Sequence, residues 1–144
     1  MDNDRRSILV KESSHDYSVS NLADSPERAA ALFNAVFDCS NRPEEHFWMM
    51  TLDGARRVSG MFEVTVGTLM SSLVHPREIF IRAIAMHAAS IIVCHNHPSG
   101  MLDVSEQDRE VTKRLRQAGE LLGVRLDDHI IIACCSDFEF ISAF

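Results

Sequence analysis

The chain has 144 residues, a length that suits one domain able to bury roughly two-thirds of its unfolded surface without disulfide staples. Apolar residues make up 46% and charged residues 24%, ordinary values for a globular protein. The formal charge of −7 argues against broad binding of phosphate backbones, and no apolar run approaches membrane-spanning length.

Met1 to Arg6 are polar and expected to fray, Ile8 to Lys11 suit a short strand, and Ser13 to Asp24 read as turn-rich. No secretory signal pattern opens the chain, so a soluble, cytoplasmic protein is expected. Ser25-Pro26 is a helix start, with serine as N-cap and proline in the first turn. Ala29, Ala30, Leu32, Phe33, Val36 and Phe37 then form one apolar stripe, ended by Asn41-Arg42-Pro43. His46 to Leu52 is a buried strand by its apolar run. Asp53-Gly54 is a turn signal, and Arg57 to Val66 is the returning strand of a hairpin. Gly67 breaks that pattern.

Pro76-Arg77-Glu78 opens a second helix carrying Ile79, Phe80, Ala83, Ile84 and His87. Ser90 to Cys94 is a central strand, and Gly100 to Val104 is a loop. A third helix runs from about Glu106 to Leu122, with Gly123 as its C-cap. Asp128 to Cys134 and Phe138 to Ile141 are further strands. Alternating strands and helices imply a two- or three-layer α/β domain with a mixed sheet flanked by helices. Residues 1–12 form an N-terminal segment and 13–144 the domain itself, with no repeat or linker visible.

The most informative segment is His95-Asn96-His97-Pro98-Ser99-Gly100 with Ser105 and Asp108, which reads H-x-H-x7-S-x2-D. Side chains two apart on an extended backbone share a face, so both imidazoles point one way. A carboxylate from the next element completes a set of three ligands suited to Zn²⁺, with a fourth position left for water. That pattern points to a metallohydrolase. Ser105 and Asp108 also fit a capping box, which alone would explain them as helix-start residues; one aspartate can serve both purposes.

The water needs a base, and Glu63, Glu78, Glu106 and Glu110 are the candidates. Glu63 stands out because it lies mid-strand among apolar neighbours, where an acid is costly to bury. A solvent-facing residue on a half-exposed strand explains it equally well. Cys39, Cys94, Cys134 and Cys135 read as buried free thiols of a reducing compartment. A Cys94–His95 nucleophile is disfavoured because alternation sends Cys94 to the opposite face. Met49, Met50, Met61 and Met70 read as core filler, and Arg109, Lys113, Arg114 and Arg116 as a solvated helix face.

Glu63, His95 to Gly100, Ser105 and Asp108 together resemble the JAMM motif of JAB/MPN-type metalloproteases. Gly67-Thr68-Leu69, Val74-His75-Pro76-Arg77-Glu78 and Asp127-Asp128-His129-Ile130-Ile131-Ile132 extend the likeness to the bacterial RadC family, over about Phe47 to Ile132. The resemblance implies a cytidine-deaminase-like α/β fold with one Zn²⁺ on His95, His97 and Asp108. It also implies Glu63 as general base and Ser105 as a stabiliser of the tetrahedral intermediate. The implied activity is hydrolysis of a peptide or isopeptide bond in an unnamed protein substrate. The other reading is a non-enzymatic interaction module associated with DNA repair or processing; the acidic balance disfavours direct nucleic-acid binding.

Two positions depart from the family pattern: Met70 where Asn is usual, and Val104 where Pro usually precedes the serine. Neither is a ligand. Full-length relatives often carry a helix-hairpin-helix region, for which 144 residues leave no room, and this weakens an inherited repair role. His75 and His129 are expected to be core residues or to support the ligands from behind.

Overall fold

The computed structural model describes residues 8–10, 13–15, 21–67, 74–133 and 137–142. Expectations for Met1 to Arg6, Lys11, Thr68-Leu69, Met70, Cys134 and Cys135 lie outside these residues. Seven strands form one mixed sheet: β1 (Ile8–Val10), β2 (Ser13–His15), β3 (His46–Leu52), β4 (Val58–Val66), β5 (Ser90–Asn96), β6 (Arg125–Ile132) and β7 (Phe138–Ser142). Their order is β2-β1-β4-β3-β5-β6-β7. The β1–β4 and β5–β6 pairs are parallel and the rest antiparallel. Among the described residues the α-helices are α1 (Pro26–Phe37), α2 (Pro76–Ala85) and α3 (Glu106–Leu122), with a short 3-10 turn at Cys39–Asn41.

The central strands are buried on both faces, which makes three layers of the two or three expected. Trp48, Met50, Met61, Ile92, Cys94 and Ile130 pack with Ala29, Leu32, Phe33 and Phe37 of α1. Phe47, Met49, Phe62, Ile91 and Val93 pack with Ile79, Phe80 and Ala83 of α2 and Val111 and Leu115 of α3. Neighbours in a strand thus go to opposite layers, the period-two rule seen with both sides covered.

Local signals set the helix ends. Ser25 accepts from the Arg28 amide, and Gly123 closes α3 with φ +75°. Ser105 and Asp108 form both halves of a capping box. His75, expected inside or behind the ligands, is exposed and caps α2 by accepting from the Arg77 amide. His87 lies past the helix end with φ +52°. Gly119 has a packing reason to lack a side chain, since a Cβ there would stand 2.2 Å from the Val124 carbonyl oxygen.

The larger differences from expectation lie at three strands, while β4 and β7 shift by one residue at one end. Ser13–His15 pairs with β1 inside the stretch read as turns, because a short edge strand can be polar on both faces. Strand β5 extends two residues further, through His95 and Asn96. Strand β6 begins at Arg125 because its parallel ladder with β5 starts there, outside the apolar run.

Two consequences are measurable. Gly119→Ala should destabilise the fold by about 2–3 kcal/mol through overpacking against backbone, despite alanine's better helix propensity; an unchanged denaturant midpoint would contradict the close approach. Asp128 is pushed up to about 6 by burial and by the adjacent Asp127 charge, partly offset by Arg56. Its folded pKa lies above the unfolded value, so its favourable contribution holds at low pH and is lost as pH rises through about 6. Asp128→Asn should therefore raise the melting temperature at pH 8, by about 1 kcal/mol after allowing for partial exposure, and give no gain at pH 4. Equal melting shifts at both pH values would count against it.

Candidate metal centre

The β5–α3–β6 crossover builds the site. Strand β5 ends in His95-Asn96, the chain turns through Pro98-Ser99-Gly100, and α3 begins at Glu106. Open α/β sheets place ligand sites at the carboxyl ends of parallel strands, where the chain is released from packing. Here His95, His97 and Asp108 each offer one donor atom, and these atoms all lie within 4.8 Å of one another. His95 Nε2 is 3.0 Å from Asp108 Oδ1, His97 Nε2 is 3.5 Å from Asp108 Oδ2, and the two Nε2 atoms are 2.8 Å apart.

A hydrogen-bond chain behind these atoms assigns the protons. The Thr112 hydroxyl donates its one hydrogen to the Asp108 carbonyl at 2.8 Å, so at 2.7 Å from His129 Nδ1 it must accept. His129 Nδ1 therefore carries hydrogen and its Nε2 is an acceptor. His95 Nδ1, 2.7 Å from that Nε2, is the donor. The neutral His95 ring is thus left with a lone pair on Nε2. His97 reaches the same state separately: its Nδ1 donates to the Met101 carbonyl at 2.8 Å. Two imidazole lone pairs and a carboxylate converge on one point.

The electrostatics divide between the rings: burial keeps His95 neutral, while the Asp108 carboxylate favours a proton on His97 that a bound cation would displace. Burial holds His95 below the ordinary imidazole range against the pull of Asp108, and burial and the His95 charge hold His129 well below it. The Asp108 hydrogen bond raises His97 against its partial burial. Burial alone would raise Asp108, but His95 and His97 overcome it and keep its carboxyl far below the usual carboxylate range. Lone pairs in contact repel unless a cation lies among them, and the donor set, two imidazoles and one carboxylate, is one that Zn²⁺ takes. The cluster could hold a metal ion, and its residues fit one. His129 and Thr112 orient the ligand from behind, as outer partners do in metal sites.

Asp108 serves as both cap and site residue. Its Oδ2 accepts from the Ser105 amide at 2.8 Å while its Oδ1 faces His95. Ser105 Oγ accepts from the Asp108 amide at 3.1 Å, and Ser105 lines the same open cleft, of about 820 Å³, as His97 and Asp108.

Glu63 is elsewhere. In register it sits opposite Trp48, between Phe62 of the α2/α3 layer and the turn of the strand, so alternation directs it toward α1. Its Oε1 is 2.7 Å from Nδ1 of His46, whose ring stacks on Trp48 at 5.1 Å. His95 pairs opposite Phe47, on the other face. Glu63 thus sits next to the β-bulge at Phe47/Trp48, held by His46.

Of the other candidate bases, Glu78 lies in the first turn of α2, and Glu106 and Glu110 are exposed on α3; none lines the cleft.

Glu44, Glu45 and Asp103 line the cleft beside Asp108, and Glu45, which the residues alone do not single out, is the one of these three that acts electrostatically on both histidines. Its charge favours the protonated forms of both His95 and His97. Strand β3 runs antiparallel to β5, so the residue entering β3 meets the end of β5. An acid immediately before a wholly buried strand was the available signal. Cys94 faces α1 among apolar neighbours, and burial pushes its thiol well up, which removes it as a nucleophile.

The RadC-like JAB domain family matches residues 23–142. A UPF0758 protein of Desulforudis audaxviator is 50% identical over 107 residues, covering 74% of this chain and 46% of the relative. A UPF0758 protein of Geobacter sulfurreducens is 41% identical over 119 residues, or 83% of this chain and 51% of the relative. A UPF0758 protein of Methanospirillum hungatei is 49% identical over 96 residues, or 67% and 43%. The chain spans about half the length of these curated relatives. With the family match running from α1 to the last strand over the same His-x-His and Asp108 geometry, the chain belongs to the RadC-like JAB domain family.

Proposed function

We propose that this domain is a zinc-dependent hydrolase of the JAMM type, acting on a peptide or isopeptide bond. The observation that carries the reading is the convergence of His95 Nε2, His97 Nε2 and the Asp108 carboxylate beside an open cleft. Zn²⁺ on these three residues would polarise the scissile carbonyl and acidify a water in the remaining position.

The chain's own residues supply the rest. Glu45, at the cleft wall, takes the proton from the attacking water, holds it on its carboxylate and returns it to the leaving amine. The Ser105 hydroxyl uses its oxygen for the cap and keeps its hydrogen for a developing oxyanion, a contact that counts most in the transition state. The cleft lining includes Glu44, Glu45, Asp103 and Asp108 and, among the described residues, no lysine or arginine. A phosphate backbone would be repelled there, which favours a peptide over a nucleic acid. Among the described residues no helix is long and apolar enough to cross a membrane.

Zinc-loaded protein incubated with a mixed library of internally quenched peptides should release fluorescence, and the chelated protein should not. Equal signals would refute a metal-dependent hydrolase. Glu45→Gln should keep one zinc per chain and lose about 10²–10⁴-fold in rate, whereas Glu63→Ala should keep the rate and lose about 1–3 kcal/mol of stability with the His46 contact. The reverse pattern would restore Glu63 as the base.

Thr112→Val should leave His129 Nδ1–H unsatisfied and release the His95 tautomer. The expected loss is roughly 10–100-fold in zinc affinity. Zinc affinity equal to the parent's, measured by chelator competition, would show that the Thr112–His129 chain does not set the ligand.

A further inference from the structure

The strand order leaves β7 at one end of the sheet, and among the described residues nothing pairs with its outer edge. Helix α3 packs against the neighbouring strand, β6. Between α3 and β7 lies a groove of about 220 Å³, lined by Arg109, Thr112, Lys113, Arg116 and Ile141. The spacing of Arg109, Lys113 and Arg116 puts all three on one flank of the helix, and no acid shares the lining. In register Ile141 is opposite His129, whose ring meets Thr112, so Ile141 faces α3. Phe138 has the opposite parity and packs with the core on the α1 side.

Edge strands are commonly blunted by proline, lysine or a bulge. Strand β7 contains neither residue and pairs with β6 at every position without a shift in register. Its outward main-chain amides and carbonyls are a template for one more strand, which would lie about 4.8 Å away. The lysine and arginine side chains of α3 are long enough to reach side chains of that strand on the same face. Glu139 shares this face with Ile141 and repels an acid set beside it. Acids of an incoming strand therefore belong at the Ile141 end, next to the cations.

We propose that the outer edge of β7, with the cationic flank of α3 beside it, is a docking site for an extended acidic segment of a partner protein, which adds to the sheet as its next strand. Main-chain hydrogen bonds hold the segment, and charge complementarity along the groove selects it. Alternation puts its acidic side chains on the α3 side and its apolar ones beside Phe138. A nucleic-acid strand would find the cations but has no groups in the spacing of a strand ladder. The formal charge of −7 over the whole chain also works against a long polyanion.

The test uses the full chain and a fluorescein-labelled peptide, Val-Thr-Val-Glu-Val-Glu-Val, followed by fluorescence anisotropy. Binding should saturate and should weaken as salt is raised. Arg109→Glu and Lys113→Glu should each weaken it about tenfold with an unchanged melting temperature, and so should glutamine in place of both peptide glutamates. A peptide N-methylated through its central residues keeps its charges, loses its main-chain donors and should not bind. Amide exchange along β7 should slow in the complex.

No saturable binding to the parent would overturn the proposal. Undiminished binding of the N-methylated peptide would do so as well, as would oligothymidylate binding as tightly as the acidic peptide, since both mark a general polyanion surface. Parent-like affinity in Arg109→Glu and Lys113→Glu, or no slowing of exchange in β7, would place the peptide elsewhere and sink the assignment. Should one of these variants fail to fold, the other carries the same comparison.

Discussion

Two imidazole Nε2 atoms 2.8 Å apart, each bare of hydrogen when its ring is neutral, face one carboxylate, and in that state they repel one another at the end of β5. The repulsion persists because each ring is pinned from behind: His95 by His129 and Thr112, His97 by the Met101 carbonyl. Nothing in these pins stabilises the front side. A cation does, and the energy it recovers there is available to hold it. The β5–α3 connection, the capping box and the burial of His129 all follow from keeping those three donors in place.

The capping box shows how little sequence is needed for two tasks. Asp108 has two carboxylate oxygens, and α3 needs only one of them for its first turn. The other lies over the strand end because the helix starts where the loop from β5 returns to the sheet. The same economy applies to Thr112, one turn on, which satisfies an α3 carbonyl and the His129 ring with a single hydroxyl. A substitution at either residue touches helix stability and the site together, so stability and metal affinity must be measured side by side.

Much of this was legible in the residues. Ser25-Pro26, Gly123 and the apolar stripe of α1 are local signals, and local physics reads them correctly. The strands His46–Leu52 and Val58–Val66 announced themselves by composition and by the Asp53-Gly54 turn. His95, His97 and Asp108 were visible because strand alternation and a helix first turn are short-range geometry. Glu45 was not visible, since its place beside the cleft depends on β3 running antiparallel to β5, a pairing about fifty residues apart. The face of Glu63 was hidden for a related reason: a bulge and the parity of β4 decide it, and neither can be read from an acid among apolar neighbours. His75 read as a core residue or a support behind the ligands and is an exposed helix cap. Asn96 sat inside the most informative motif, yet its hydrogen bonds to Arg42, Glu44 and His46 depend on the same long-range pairing of β3 with β5.

The account turns on the identity of the donors that meet at the end of β5. X-ray absorption at the zinc edge of protein loaded with one equivalent of Zn²⁺ reads them directly. It should show two imidazoles with the remaining neighbours oxygen, and His95→Ala should remove one imidazole together with most of the affinity. A sulfur neighbour, a single imidazole in the parent protein, or no bound zinc at all would contradict the account.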